Sequence, residues 1–272
     1  MPAEGDEMHQ PRPTKRDGTS CKDLPQFTAA LIERLRARGP RVHCITNAVA
    51  QNFTANVLLA AGCVPSMTLS VEEIGPFVTG ADALSVNLGT FDRERREATT
   101  LAVEIATRKK IPWVLDPVFV DRSSPRAAFA LALIASKPKA LRLNRAEFSA
   151  LAESAPTREA LTAYARDKNI VLALSGETDW VDDGGRLARI ANGHPLMGKV
   201  TALGCAASAL VAACLAVEPD AWRATAAALT IVGVAGELAA AQANGPGSFA
   251  VAIIDTLHNL DEPTLLARAR VT

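Results

Sequence analysis

Apolar positions change their period along this chain in a repeating way. From about Leu24 onward, stretches with apolar residues at helical spacing alternate with short apolar runs that end in a polar residue or glycine. That alternation is the pattern of a sheet layered by helices. "FTAALIERLRARG" is helical and stops at Gly39, and "RVHCIT" follows as a strand. "ANVLLAAG", closed by Gly62, precedes "VPSMTLS", a second predicted strand, and a short helix is expected around 71–78. "DALSVNLG", "IPWVLDP", "KALRLN" and "IVLALSG" read as further strands. Between them lie helical stretches, one of which starts at the N-cap Asp92 and ends in Arg108, Lys109 and Lys110, charges that suit a helix C-terminus. "DWVDDGGRLARIANG" alternates polar and apolar residues around a turn and predicts a hairpin. "KVTALGCAASALVAA" runs from a polar turn into a buried helix, and a second Ala-rich helix spans 222–243, ended by "NGPGS".

Composition narrows the options. Lys plus Arg and Asp plus Glu are equal at 29 each among 272 residues, so no net field favours nucleic acid or an acidic membrane surface as a partner. A leader, 1–23, is polar and proline-containing, is expected to be disordered, and lacks the apolar stretch of a secretory signal; 24–272 is expected to be one domain. The longest uninterrupted apolar candidate, Ala206–Val217, falls short of the roughly eighteen to twenty residues of a membrane span. Five cysteines are scattered without metal-ligand or disulfide spacing, which fits a reducing cytoplasm.

In a parallel sheet, ligands bind beyond the carboxyl ends of the strands, so Asn87, Asp116, Asn144 and Ser175 are expected along one edge. Gly204 and Cys205 open a helix whose free N–H groups form an anion site, and the dipole there is expected to lower the Cys205 thiol pKa. The plainer alternative is a small hydrophobe in a packed helix. Asn144 and Glu147, three apart, are placed either to orient water around magnesium or to form a capping box. Asp116 is a second candidate carboxylate or a turn former.

In this order the motifs "HCITN", "NFTAN", "DALSVNLGT", "LDPV", "NRAEF", "ANGHPL", "VTALGC", "AGELAA" and "GPGSF" resemble the hydroxyethylthiazole kinase family, from about Val42 to about Leu260. The resemblance implies an α/β ribokinase-like fold, with a mostly parallel central sheet flanked by helices on both faces. It implies ATP- and Mg2+-dependent phosphorylation of the hydroxyl of 4-methyl-5-(2-hydroxyethyl)thiazole in thiamine biosynthesis and salvage, by a homotrimer with sites at subunit contacts. Cys205 then matches the catalytic position beside the substrate hydroxyl. Met67 and Asn47 match the thiazole pocket, with Ala202 in the substrate-side turn. Arg126 and Ser175 match ATP-binding positions, Asn144 and Gly204 lie on the ATP side, and Asp116 and Glu147 match the metal and water network.

Three departures bear on substrate choice. Ala202 and Leu203 stand where the family has a glycine and a small residue, Phe119–Arg122 replace a glycine-rich stretch, and the segment between Glu147 and Thr157 is short. They leave two alternatives: a kinase for a different small heterocyclic alcohol, or a catalytically weak binding or regulatory homologue.

Overall fold

The computed structural model describes residues 21–272. Of the predicted leader, residues 1–20 lie outside the described residues. Cys21–Asp23 form a single 3-10 turn in which the Cys21 thiol donates to the Leu187 carbonyl at 3.2 Å.

Helix α1 (Leu24–Arg38) leads into β1 (Arg41–Ile45), α2 (Gln51–Ala60), β2 (Val64–Ser66), α3 (Ile74–Thr79) and β3 (Ala83–Asn87). Next come α4 (Arg93–Lys109), β4 (Trp113–Asp116), α5 (Ser124–Ala135), β5 (Ala140–Asn144), α6 (Arg145–Ala152), α7 (Arg158–Lys168) and β6 (Val171–Ser175). The hairpin of β7 (Asp179–Asp182) and β8 (Leu187–Ile190) precedes α8 (Leu203–Val217), α9 (Ala221–Gln242), α10 (Pro246–Asn259) and α11 (Glu262–Arg268). All eight strands form one sheet in the order β2-β1-β3-β4-β5-β6-β7-β8. Its neighbours are parallel up to β6 and antiparallel in the hairpin.

Two apolar clusters cover the two faces of the sheet. One gathers α1, α2, α8, α9, α10 and α11, the other α3 to α7. Because side chains alternate along a strand, Leu84, Val86, Leu115, Leu141 and Leu143 go to the second cluster while Ala83, Val114 and Ala140 go to the first. The same alternation turns Asn87, Asp116 and Arg142 toward the α8 face. Helix α8 meets them with an almost wholly buried surface, as a helix apolar all round must.

One expectation needs correction. "VPSMTLS" pairs only over Val64–Ser66, because β2 is an edge strand with β1 as its sole neighbour and the chain then leaves the sheet for a turn at Ser70. The Ala-rich helix is α9, which ends at Gln242 as "NGPGS" predicts; α10 then starts with Pro246 in its first turn and α11 is capped by Asp261. Helix α9 is long and apolar enough to cross a membrane once its interrupting Arg223, Gly233, Gly236 and Glu237 are allowed; here it is mostly buried, packed against α1, α8 and α10.

His43, in the middle of β1, is fully buried. Its Nε2 lies 3.2 Å from the Thr68 carbonyl, an acceptor only, so Nε2 carries the proton; Nδ1 accepts from the Ser66 hydroxyl at 2.8 Å. Burial pushes its pKa down to about 4, against the opposing effect of the Thr68 bond. An unfolded chain binds this proton near pH 6.5 and the folded one only near 4, so stability falls as pH drops through that window. The full loss is about 3 kcal/mol. His43→Gln keeps a donor toward Thr68 without the titration. Urea unfolding of this variant between pH 7 and pH 5 should show a flatter acid limb than the parent; parallel limbs would rule His43 out as the cause.

Candidate active site

After β1 the chain passes to α2 on one face, and after β3 to α4 on the other. This divergence opens a crevice at the ends of adjacent strands. Asn47 follows β1, Asn87 ends β3, and Asp116 ends β4 in direct register with Asn87. Asn47 Nδ2 donates to Asn87 Oδ1 at 3.0 Å and to Cys205 Sγ at 3.2 Å. Asn87 Nδ2 donates to Asp116 Oδ2 at 2.8 Å, and the Ser208 hydroxyl donates to the same oxygen at 2.8 Å. Asn47 Oδ1 and Asn87 Oδ1 also accept from the Ala50 and Gly89 amides, which fixes both side-chain amides in one orientation. Gly89 allows this approach, since a Cβ there would stand 2.8 Å from the Asn47 side chain. The result is a continuous chain from Cys205 through two asparagines to Asp116 and back to α8 at Ser208.

Burial raises the Asp116 pKa to about 6. Arg142 opposes that rise, Glu147 adds to it, and the bonds from Ser208 and Asn87 work against it. Cys205 reverses the sequence expectation. Burial and the neighbouring Asp116 charge push its thiol up to about 11, and the bonds from Asn47 and Asn87 and the charge of Arg142 only soften the rise. The dipole of α8 does not ionise a thiol that has lost its water and faces a carboxylate.

Glu147 and Asn144 form the capping box of α6. Asn144 Oδ1 accepts from the Glu147 amide at 3.0 Å and Glu147 Oε2 from the Asn144 amide at 2.8 Å. Glu147 Oε1 reaches further and accepts from the Phe119 amide at 3.0 Å, so the box also anchors the loop after β4. Phe119, at φ 62°, and Ala202, at φ 71°, both hold left-handed backbone. Such backbone costs a non-glycine residue about 1–2 kcal/mol. Ala202 stands where the family resemblance expects a glycine, and Phe119 opens a stretch that the resemblance expects to be small and glycine-rich.

Beyond Gly204 lies a cavity of about 680 Å³ between the hairpin, α8 and α9. Arg142, Ser175 and Gly204 line one end, and Met197, Leu229 and Val232 give it apolar wall. Arg142 is half-buried, its Nε has no partner among the described residues, and a Cβ at Gly204 would come within 3.4 Å of its Nη1. Arg126 does not line this cavity. Its Nη1 donates to the Val118 carbonyl at 2.8 Å and its guanidinium lies 5.5 Å from the centre of the Phe91 ring. Met67 also stands apart, just after the edge strand, packed against the cluster on the α8 face. Ser175 faces the cavity with its hydroxyl bonded to the Leu143 carbonyl at 3.2 Å. Ala202 gives its carbonyl to the first amide bond of α8, from Ala206.

Sequence reasoning missed Arg142 and Ser208. The signal for Arg142 was present: an arginine between two leucines of a buried strand must turn to the face its neighbours avoid. Ser208, one turn after Gly204, gave no such signal among its alanines.

A family model described as the hydroxyethylthiazole kinase family matches residues 32–263. The chain is 45% identical over 243 residues to a probable hydroxyethylthiazole kinase of Agrobacterium fabrum, covering 89% of this chain and 94% of that protein. It is 44% identical over 260 residues to the hydroxyethylthiazole kinase of Granulibacter bethesdensis, covering 91% and 95%. The solved structure of the hydroxyethylthiazole kinase protein from Pyrococcus horikoshii matches with a TM-score of 0.87 at 37% identity, over 91% of this chain and 98% of that one. A pyridoxal kinase from Staphylococcus aureus, with a TM-score of 0.59 at 17% identity over 73% of this chain and 88% of its own, shares the fold.

Asn87 is the hub of the polar chain. Asn87→Ala should leave the Asp116 carboxylate short of a donor and cost about 1–3 kcal/mol in urea unfolding at neutral pH. A loss below about 0.5 kcal/mol would mean that water or a rotated side chain replaces it.

Proposed function

Because the chain belongs to the hydroxyethylthiazole kinase family, we infer that its sheet-edge crevice and the adjoining cavity together transfer phosphate from ATP to an alcohol. The protein is an ATP-dependent kinase for the hydroxyl of 4-methyl-5-(2-hydroxyethyl)thiazole, in thiamine biosynthesis and salvage. The observation that carries the assignment of roles is the position of the α8 N-terminus. It holds Cys205 against the Asn47–Asn87–Asp116 chain on one side and opens Gly204 to the Arg142 cavity on the other.

In this reading the nucleotide lies in the cavity, its base against Leu229, Val232 and Met197 and its phosphates toward Gly204, Ser175 and Arg142. Free helix N–H groups and a guanidinium with an unmatched Nε suit phosphate oxygens. The nucleotide cation is then Arg142, and Arg126 secures the loop after β4 through Val118. Asn144 contributes through its box with Glu147. The alcohol sits by Cys205, bordered by Asn47 and Ala202. Transfer forms a bond from the alcohol oxygen to the γ-phosphorus and breaks the bond to the β-γ bridging oxygen, and the hydroxyl proton passes late to an oxygen of the transferred phosphate. A loose transition state places little charge on the attacking oxygen, so a protonated thiol that orients the hydroxyl suffices.

Among the described residues no three His, Cys, Asp or Glu side chains gather as a metal cage. The Glu147 charge nevertheless adds to the rise in the Asp116 pKa, and both bonds to Asp116 fall on Oδ2. Two carboxylates near a phosphate site fit Mg2+, which takes one or two such ligands and otherwise water and phosphate. When bound, it would neutralise charge on the transferring phosphoryl group. We place Met67 at the thiazole pocket of a neighbouring subunit in a homotrimer. That assembly is supported by the exposed Leu59, Val64 and Phe77 on the elements flanking the Met67 loop. A reducing cytoplasm is supported by five cysteines that are all free.

A coupled ADP-release assay tests the assignment. The parent should turn over ATP in the presence of the thiazole alcohol well above its rate alone, and Cys205→Ala, which leaves the hydroxyl misplaced, should lower kcat by about 100-fold. Unchanged kcat in that variant would remove Cys205 from the reacting centre. Arg142→Ala should raise KM for ATP about 10-fold or more, the loss of a charged hydrogen bond, while Arg126→Ala should change it little. The reverse ranking would return the nucleotide to Arg126.

A further inference from the structure

One wall of the cavity, the loop 191–198, has little regular structure of its own beyond the 3-10 turn Pro195–Lys199. It is held from two sides. Inside, it lies flush on α9 at two glycines three residues apart: a Cβ at Gly233 would stand 2.7 Å from the Asn192 Cβ, and one at Gly236 2.5 Å from Met197 Sδ. Outside, it is tied to the segment Arg268–Thr272. The Ala191 amide donates to the Arg270 carbonyl at 2.9 Å, and the Arg270 amide to Asn192 Oδ1 at 2.7 Å. Asn192 Nδ2 donates to the Arg268 carbonyl at 2.9 Å.

The two holds meet in one ion pair. The Arg270 guanidinium bonds both oxygens of Glu237, on α9, and also donates to the Ala191 carbonyl at 2.6 Å. Glu237 Oε1 in turn accepts from the Gly193 amide at 2.9 Å and from Asn192 Nδ2 at 3.2 Å. Glu237 therefore joins the helix, the loop and the distal segment through a single carboxylate. The Arg270 side chain is about half exposed, 54%, so the pair is screened by salt and is the weakest part of the arrangement. The α9 glycines under this loop, Gly233 and Gly236, lie within about one to two turns of the apolar wall residues Leu229 and Val232.

We propose that Arg270 and Glu237 are positioning residues that clasp the 191–198 wall and so set the affinity of the cavity for the base end of a nucleoside triphosphate. The proposal rests on the nucleotide reading of this cavity given above. A clasp at that end changes how tightly nucleotide is held and leaves the hydroxyl and the phosphoryl transfer untouched.

The test compares the full-length parent with Arg270→Ala, Arg270→Lys, Glu237→Gln and Arg142→Ala, measuring Kd for ADP by calorimetry and kcat and both KM values by ADP release. Arg270→Ala should raise Kd for ADP and KM for ATP about 3- to 10-fold, with kcat and the alcohol KM within about twofold. These ratios correspond to the loss of a partly exposed charged interaction. Arg270→Lys should recover part of the loss, and high salt should weaken ADP binding by the parent more than by Arg270→Ala. Nucleotide constants equal to the parent's in both Arg270→Ala and Glu237→Gln overturn the clasp. So does a uniform fall in kcat and both affinities, which is the mark of general destabilisation. If Arg142→Ala binds ADP as the parent does, the nucleotide reading itself fails; if it loses ADP while Arg270→Ala does not, only the clasp fails.

Discussion

A carboxylate taken out of water stays ionised only where donors and opposite charge replace its hydration, and Asp116 imposes that demand on the centre of this fold. Asn87 answers it from the neighbouring strand, Ser208 from the helix above and Arg142 at longer range. Strand alternation makes the answer possible, because it turns all three sheet residues to the face that α8 covers. The consequence spreads outward. Once Asn87 gives its amide nitrogen to Asp116, its oxygen must accept, so Asn47 donates to it and has its remaining reach directed at Cys205. The cysteine is therefore located by a carboxylate two asparagines away.

The backbone on either side of this centre is held in costly conformations by non-glycine residues. Phe119 stays left-handed while its amide is anchored by Glu147, which is itself fixed in a capping box. Ala202 stays left-handed at the mouth of α8, where its carbonyl already begins the helix. In both places the surrounding bonds set the backbone, and the side chain is a substitution the fold absorbs. The altered segments thus change what lines the mouth of the crevice while leaving the direction of its amides alone.

Much of this was legible in the sequence, and the reasons are local. Periodicity located the strands, so Asn87, Asp116, Asn144 and Ser175 fell on one edge as expected. The Asn144 to Glu147 spacing announced its capping box, although not the third bond to Phe119, which spans 28 residues. The ionisation of Cys205 was misjudged because the helix dipole is visible in sequence and desolvation is not. Arg126 and Arg142 are both arginines in plausible motifs; only the packing tells which one enters the cavity. The tie between Asn192 and Arg270 spans 78 residues and carries no local mark at all.

The protonated state of Cys205 has a chemical consequence beyond catalysis. Attack on peroxide or on an alkylating reagent requires thiolate. With a pKa of about 11, only about one molecule in ten thousand carries that thiolate at pH 7. The three core thiols, Cys44, Cys63 and Cys214, are also raised by burial. The crevice thus keeps sulfur for its shape and polarizability while holding it, at neutral pH, as the less reactive protonated thiol.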